Sequence, residues 1–194
     1  MKVLVACEYS GAVRDAFLAR GHDAMSCDLL PTDVPGPHYQ GDVFDVIDRG
    51  WDLMIGHPPC TYLARSSMRW LKDQPPLKSG KPVGAERRAL LAEAIEFFTA
   101  LWNAKIERIA LENPRSFLLP YKATQYVQPW QFGHGEVKET GLHLKNLPPL
   151  VPTDIVPGRK PVVHMASPGP NRWKERSRTY TGIANAMAEQ WGAA

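Results

Sequence analysis

The sequence predicts an α/β fold, a doubly wound and mostly parallel sheet forming a single domain over 1–194. Three observations carry this. Short apolar runs of strand length alternate with segments of helical period, the pattern of a parallel sheet covered on both faces. A chain of 194 residues with 44% apolar content can bury one core of that kind. Finally, the early apolar runs are followed or closed by polar or reactive residues, Glu8, Asp28, Cys60 and Glu112. Ligands of open α/β sheets sit at the carboxyl ends of the strands, so these four are expected along one rim.

The opening "KVLVA" is the first expected strand. "GAVRDAFLARG" places Val13, Ala16 and Phe17 at helical spacing and stops at Gly21. "DAMSCDLL" reads as a second strand, and "PTDVPGPHYQGD" as a loop of turn formers. "WDLMIG" is a third strand with an abrupt stop at two prolines. Residues 61–85 are rich in proline and basic side chains and read as a long mobile loop, a kind that is usually functional or disordered in compact domains. The helix "ERRALLAEAIEFFTALWNA" follows, with Leu90, Ala94, Phe97 and Leu101 on one face, then the strand "RIALENP". From about 120 onward prolines multiply and regular structure is expected to thin until a last helix, "GIANAMAEQW". No internal repeat or low-complexity tract is present.

Composition excludes several classes. No apolar run approaches the roughly 20 residues of a membrane span, and "MKVLVACEYS" lacks the charged-then-apolar pattern of a signal peptide, so a cytoplasmic protein is expected. Cys7, Cys27 and Cys60 form neither a CxxC pair nor an even disulfide set, which suits a reducing compartment. The six histidines show no HxxxH or HExxH spacing, and no metal is expected. The net charge of +3 is too small to mark a nucleic-acid binder, so distribution matters more. Arg65, Arg69, Lys72, Lys78, Lys81, Arg87 and Arg88 stand against only Asp73 and Glu86, and "RWKERSR" forms a second basic cluster. Both could follow a phosphate backbone, or be solvated loops.

Chemistry concentrates at the strand ends. "VLVACEYSGAVRDAF" has the form of a nucleotide-type cofactor loop, a tight turn presenting backbone N–H groups at a helix start, though with the single glycine Gly11. Asp28 closes the second strand, where an acidic side chain can grip a pair of ribose hydroxyls. Cys60 lies beyond Pro58 and Pro59, which stiffen the backbone and hold a thiol at the mouth of the sheet. That is a nucleophile's position, and Arg65 or Arg69 could supply the positive charge that activates a thiol. Glu112 emerges from an apolar strand onto the same rim. A thiol that adds to an electron-poor carbon, facing a carboxyl group that protonates or hydrogen-bonds the ring, argues for covalent catalysis on a heteroaromatic ring.

These residues, in this order, resemble the cytosine-carbon-5 DNA methyltransferase family. "CEYSGA", Asp28, Asp42 in "GDVFDV", "HPPC", "ENP", "FGHGEVKET" and "GIANAMAEQW" are similar to the family's cofactor loop, its two acids, its nucleophile loop, its ENV and YGxPQxRxR stretches and its last helix. The resemblance implies a Rossmann-like fold that binds S-adenosylmethionine. Glu8, Tyr9, Ser10, Gly11 and Pro58 would line the cofactor, with Asp28 on the ribose, Asp42 near the adenine and Asn185 from the last helix. Cys60 would attack carbon 6 of the pyrimidine while Glu112 hydrogen-bonds its N3 and amino edge. Pro59, Asn113, Arg65, Arg69, Lys138, Thr140, Arg176 and Arg178 would contact the substrate, and a base in duplex DNA would be flipped out first.

The chain also departs from that pattern. The family's glutamine and two arginines fall at Glu136, Lys138 and Thr140. Only about residues 146–171 stand where family members carry a long segment that reads DNA sequence. This implies low sequence specificity, a partner protein that supplies it, or a pyrimidine nucleotide as substrate in place of DNA. So compact a form resembles the methylase-like proteins of bacteriophages and prophages, with bacterial cytoplasm as the compartment. An amino-group methyltransferase would need Asp or Asn before PPY, whereas His57 and Cys60 occupy those places. A non-catalytic DNA-binding or decoy protein on the same fold is the reading from another class. His57 could orient the loop, tune Cys60 or cap a turn, and Trp173, within the basic cluster, could stack a base.

Overall fold

The structure is a computed structural model that describes residues 1–165, 169 and 172–193. Its elements run β1 (Lys2–Ala6), α1 (Ala12–Leu18), β2 (Asp23–Asp28), β3 (His38–Gln40), β4 (Leu53–Gly56), α2 (Gly84–Trp102), β5 (Arg108–Asn113), β6 (Gln125–Val127), β7 (Thr140–Lys145), α3 (Val162–Met165), α4 (Arg172–Ser177) and α5 (Thr181–Gly192). The strands form one seven-stranded sheet in the order β3-β2-β1-β4-β5-β7-β6. The first five pair in parallel, and β7 runs antiparallel to both β5 and β6.

Alternation along the central strands divides the core in two. Val3, Val5, Leu53, Ile55 and Ala110 point to one face, where Val13, Ala16 and Phe17 of α1 meet Ile183, Met187 and Trp191 of α5. Leu4, Ala6, Met54, Ile109 and Leu111 point to the other, against Phe98 and Leu101 of α2. A strand buried on both faces must be apolar at every position, which is why β1 and β4 read as unbroken apolar runs. Each fully buried large side chain contributes roughly 1.5–3 kcal/mol to holding a helix on the sheet.

The sequence expectations need four corrections. The stretch 31–42, read as loop, contains β3, a three-residue edge strand too short to show a period. Regular structure does not thin after 120, because β6 and β7 complete the sheet there. β7 escaped detection because His143, a polar residue, turns inward and packs edge-on against Phe98 at 5.0 Å between ring centres. The second strand ends at Asp28, and Leu29 beyond it is exposed. In α2 the fully buried ring is Phe98, while Phe97 packs edge-on against Phe44.

The basic stretch 61–85 carries a 3-10 helix over Arg65–Leu71 and a fully buried Leu63. It is tied to α2 by Arg87, which donates to the Thr61 carbonyl, and by Arg88, which donates to Leu71 and Asp73. The proline-rich stretch 146–171 begins against the sheet, with Gln125 bonded both ways to Leu150 and the Trp191 ring N–H donating to Pro148. Residues 166–168, 170 and 171 of that stretch lie outside the described residues. No helix among the described residues is long and apolar enough to cross a membrane.

Candidate active site

β4 and β5 are neighbours in register, Gly56 beside Leu111, so the next rung sets His57 beside Glu112. His57 continues the ladder by donating its backbone N–H to Ala6, and its Nδ1 stands 3.4 Å from Glu112 Oε2. Two prolines then carry the chain out, Pro58 buried and Pro59 exposed, to an exposed Cys60. The Cys60 carbonyl accepts the N–H groups of Leu63 and Ala64, closing a turn that fixes the residue at the rim.

The electrostatics of this corner are coupled. Crowding by protein atoms and the Glu112 charge push the Cys60 thiol up, while Lys138 and Arg176 pull it back. For Glu112, burial pushes the carboxyl up, but the hydrogen bond from His57 and the Lys138 charge reverse this, leaving it below the usual carboxylate range. Lys138 is thus the cation that acts on both groups. It is half-buried on the segment before β7, with its ammonium donating to the Arg178 carbonyl and lying 5.9 Å from the Tyr180 ring centre. The charge on Cys60 therefore comes from Lys138 and Arg176, not from Arg65 or Arg69. Arg65 and Arg69 instead lie over Phe117 and Trp70 and, with Ser66, line an open depression beside the 3-10 helix.

The other half of the rim is built differently. Gly11, at φ 73, begins α1 in a left-handed conformation, and a Cβ there would strike the Arg14 guanidinium. Glu8 is buried, and its carboxylate accepts the N–H groups of Val13 and Arg14, with Ser10 hydroxyl donating to it as well. This carboxylate therefore caps α1, and the side chain expected to hold a cofactor is committed to the turn. Tyr9 is also engaged: its hydroxyl donates to Lys174 and meets Ser177 at 2.8 Å, and its ring packs on Trp173. Asp28 and Asp42 each use one oxygen locally, on the N–H groups of Leu30 and Phe44. Both charges act on Cys7, so the two carboxylates converge at the end of β1. Each has an oxygen with no hydrogen bond from the described residues, a set of acceptors suited to the hydroxyl and amino groups of an adenosine.

The remaining expected residues divide. Arg176 is exposed and near enough for its charge to act on Cys60. Arg178 pairs with Asp33 at 2.8 Å, and Lys174 adds a second contact to the same carboxylate, so this basic cluster is docked across the Glu8–Gly11 turn. Asn113 is 1% exposed, with both side-chain polar atoms unpartnered among the described residues, and is withdrawn from the surface. Thr140 is buried and donates to the Lys138 carbonyl, which makes it a support for that lysine. Asn185 shares the exposed face of α5 with Thr181 and Glu189. Trp173, expected as a base platform, packs on Tyr9. Among the described residues no group of His, Cys, Asp and Glu is arranged to hold a metal ion.

Two features escaped the sequence reading. The His57–Glu112 contact was within reach of it, since sliding "LMIGH" against "IALE" as parallel neighbours pairs the two residues. The latch through Asp33 was not, because its partners lie more than a hundred positions away.

No family model matches this chain, and no curated protein matches it. Its similarity is to solved structures. A candidate DNA modification methyltransferase encoded within a prophage of E. coli is 14% identical, with a TM-score of 0.50, over 81% of this chain and 52% of that one. The Entamoeba histolytica methyltransferase EhMeth is 12% identical, with a TM-score of 0.49, over 87% of this chain and 60% of that one. The chain thus spans little more than half the length of these proteins. Together with the observed sheet, the first likeness gives this chain a Rossmann-like fold of the methyltransferase type.

Proposed function

We propose that this chain transfers a methyl group from S-adenosylmethionine to carbon 5 of cytosine in DNA, through a covalent bond between Cys60 and carbon 6. The observation that carries the reading is the corner itself: an exposed thiol and a carboxylate on adjacent strand ends, both under the charge of Lys138. The Cys60 thiol would give up its proton to solvent water and its sulfur would bond to carbon 6, moving the electrons of the 5,6 double bond toward carbon 5. Glu112 would accept a hydrogen bond from the amino group and, taking up a proton as the ring gains charge, donate it toward N3 to steady that charge. Bound S-adenosylmethionine would supply an electrophilic methyl group to carbon 5, its sulfur keeping the electron pair of the broken S–CH3 bond and leaving as the neutral thioether S-adenosylhomocysteine. Transfer of the carbon-5 proton to water would then expel the sulfur and restore the double bond. Asp28 and Asp42 would hold the hydroxyl and amino groups of the adenosine, and Glu8 would keep the turn beneath it in shape.

The 61–85 stretch, which begins one residue after Cys60, would close over a flipped-out base with Arg65 and Arg69 toward the phosphates. The 146–171 stretch would serve in place of a sequence-reading domain. A phage or prophage protein of the bacterial cytoplasm suits this reading, as the similar structure from E. coli is prophage-encoded.

Labelled S-adenosylmethionine, incubated with the protein and cytosine-containing duplex or single-stranded DNA, tests the proposal by the nucleoside it yields. 5-Methyldeoxycytidine supports it, whereas N4-methyldeoxycytidine or no transfer overturns it. A second reading keeps the thiol chemistry on a free pyrimidine nucleotide. It draws on the short 146–171 stretch, which stands where a sequence-reading segment is expected. Methylation of deoxycytidine monophosphate with none of DNA would select it.

A further inference from the structure

We propose that His57 is a positioning residue for Glu112: its Nδ1–H holds Oε2 of the carboxylate, leaving Oε1 for the pyrimidine edge. The inference rests on the reading of Glu112 as the group that grips the base.

Three observations carry it. The register of β4 and β5 sets the two residues side by side, and alternation points both toward the α1/α5 face of the sheet. His57 Nδ1 to Glu112 Oε2, at 3.4 Å, is the side chain's one polar contact among the described residues. Hydrogen bonds of this kind are often long before substrate binds and tighten when it does. Lastly, the side chain is only 9% exposed, and its Nε2 is buried with no partner among the described residues. A buried imidazole nitrogen left unpaired is destabilising, so packing alone would be better served by an apolar residue. The backbone role of His57, donation to Ala6, needs no particular side chain. What the imidazole adds is a donor directed at the carboxylate.

The arrangement has a consequence for the chemistry. A carboxylate free to rotate presents either oxygen to the base, and its geometry must be fixed anew at each turnover. With Oε2 held from behind, Oε1 is preset, and it takes no hydrogen bond from the described residues. Lys138, the other charged group acting on Glu112, supplies charge and leaves the fixing of orientation to His57.

The imidazole tautomer, read from nitrogen-15 chemical shifts at a pH where the ring is neutral, tests the contact without any substrate. His57 is assigned by the signal lost in His57→Asn. The expected result is a proton on Nδ1 in the unaltered protein that moves to Nε2, the usual preference, in Glu112→Ala. A proton on Nε2 in the unaltered protein overturns the proposal. Kinetics test the consequence. His57→Phe should lower kcat by about 10- to 100-fold with KM changed little, the size expected when a reacting group is misplaced by about 1 Å. His57→Asn, which keeps a donor where Nδ1 stands, should recover most of that loss. Unchanged kcat in a folded His57→Phe also overturns the proposal. If the unaltered protein transfers no methyl group, the functional reading falls, and the tautomer alone decides the His57–Glu112 contact.

Discussion

The two halves of the sheet rim are made of the same kinds of residue and use them in opposite ways. On the β1–β2 side, Glu8, Ser10 and Tyr9 are buried and bonded to the protein's own backbone and hydroxyls. On the β4–β5 side, Cys60 is exposed and Glu112 keeps an oxygen free, with Lys138 as the common cation. The first half is a shaped turn whose side chains hold shape. The second presents side chains at and beyond the strand ends with atoms open to a ligand. A residue at a strand end is therefore a candidate for chemistry only when its own backbone leaves it unclaimed, as Glu8 and Glu112 show.

Four substitutions would break or sharpen this contrast. Cys60→Ala should abolish the proposed methyl transfer, by about 10³-fold or more, since the nucleophile proposed for it has no substitute. Its thermal unfolding should stay close to that of the unaltered protein, because the residue is exposed. Glu8→Ala, on the shaping half, should do the reverse. It strips the N–H groups of Val13 and Arg14 of their acceptor and should cost about 1–3 kcal/mol in urea denaturation.

Lys138→Met tests the shared cation. The Lys138 charge lowers the Cys60 pKa against burial and Glu112, so removing it drives the thiol further up. At any pH below that pKa the thiolate fraction falls, and the rate–pH curve for iodoacetamide alkylation of Cys60 moves to the alkaline side. A curve that stays in place would remove Lys138 from the corner. The smallest effect belongs to Asp33→Asn, which unlatches Arg178 and Lys174 from the turn. Exposed ion pairs of this kind contribute about 1 kcal/mol or less, and the loss should shrink in high salt, read by denaturant titration.

The same contrast explains what the sequence discloses. β1, β4 and β5 are legible because both their faces are buried, which forces apolar runs with abrupt ends. β3 and β6 are three residues each at the sheet edges, and β7 hides its apolar pair, Leu142 and Leu144, around an inward His143. Burial holds the His143 pKa down at about 4, so this residue stays neutral in the core. Cys60 and Glu112 are legible because they follow apolar strands. Glu8 is legible as a position but not as a role, since its partners are backbone groups that exist only once α1 has formed. Arg65 and Arg69 stand closer to Cys60 in sequence than Lys138 or Arg176, yet the fold brings the latter pair to bear on the thiol. Nearness along the chain misleads where an intervening turn and 3-10 helix carry the side chains away.

The proposed chemistry depends on attack of the Cys60 sulfur on a pyrimidine ring. It is tested most directly by mass spectrometry of the protein after incubation with S-adenosylmethionine and DNA containing 5-fluorocytosine. Fluorine cannot leave carbon 5 as a proton does, so sulfur and ring stay joined after methyl transfer. A stable adduct on the peptide bearing Cys60, absent in Cys60→Ala, is the predicted result. No adduct with the fluorinated DNA or with the matching fluorinated nucleotide, in protein that binds S-adenosylmethionine, would contradict it.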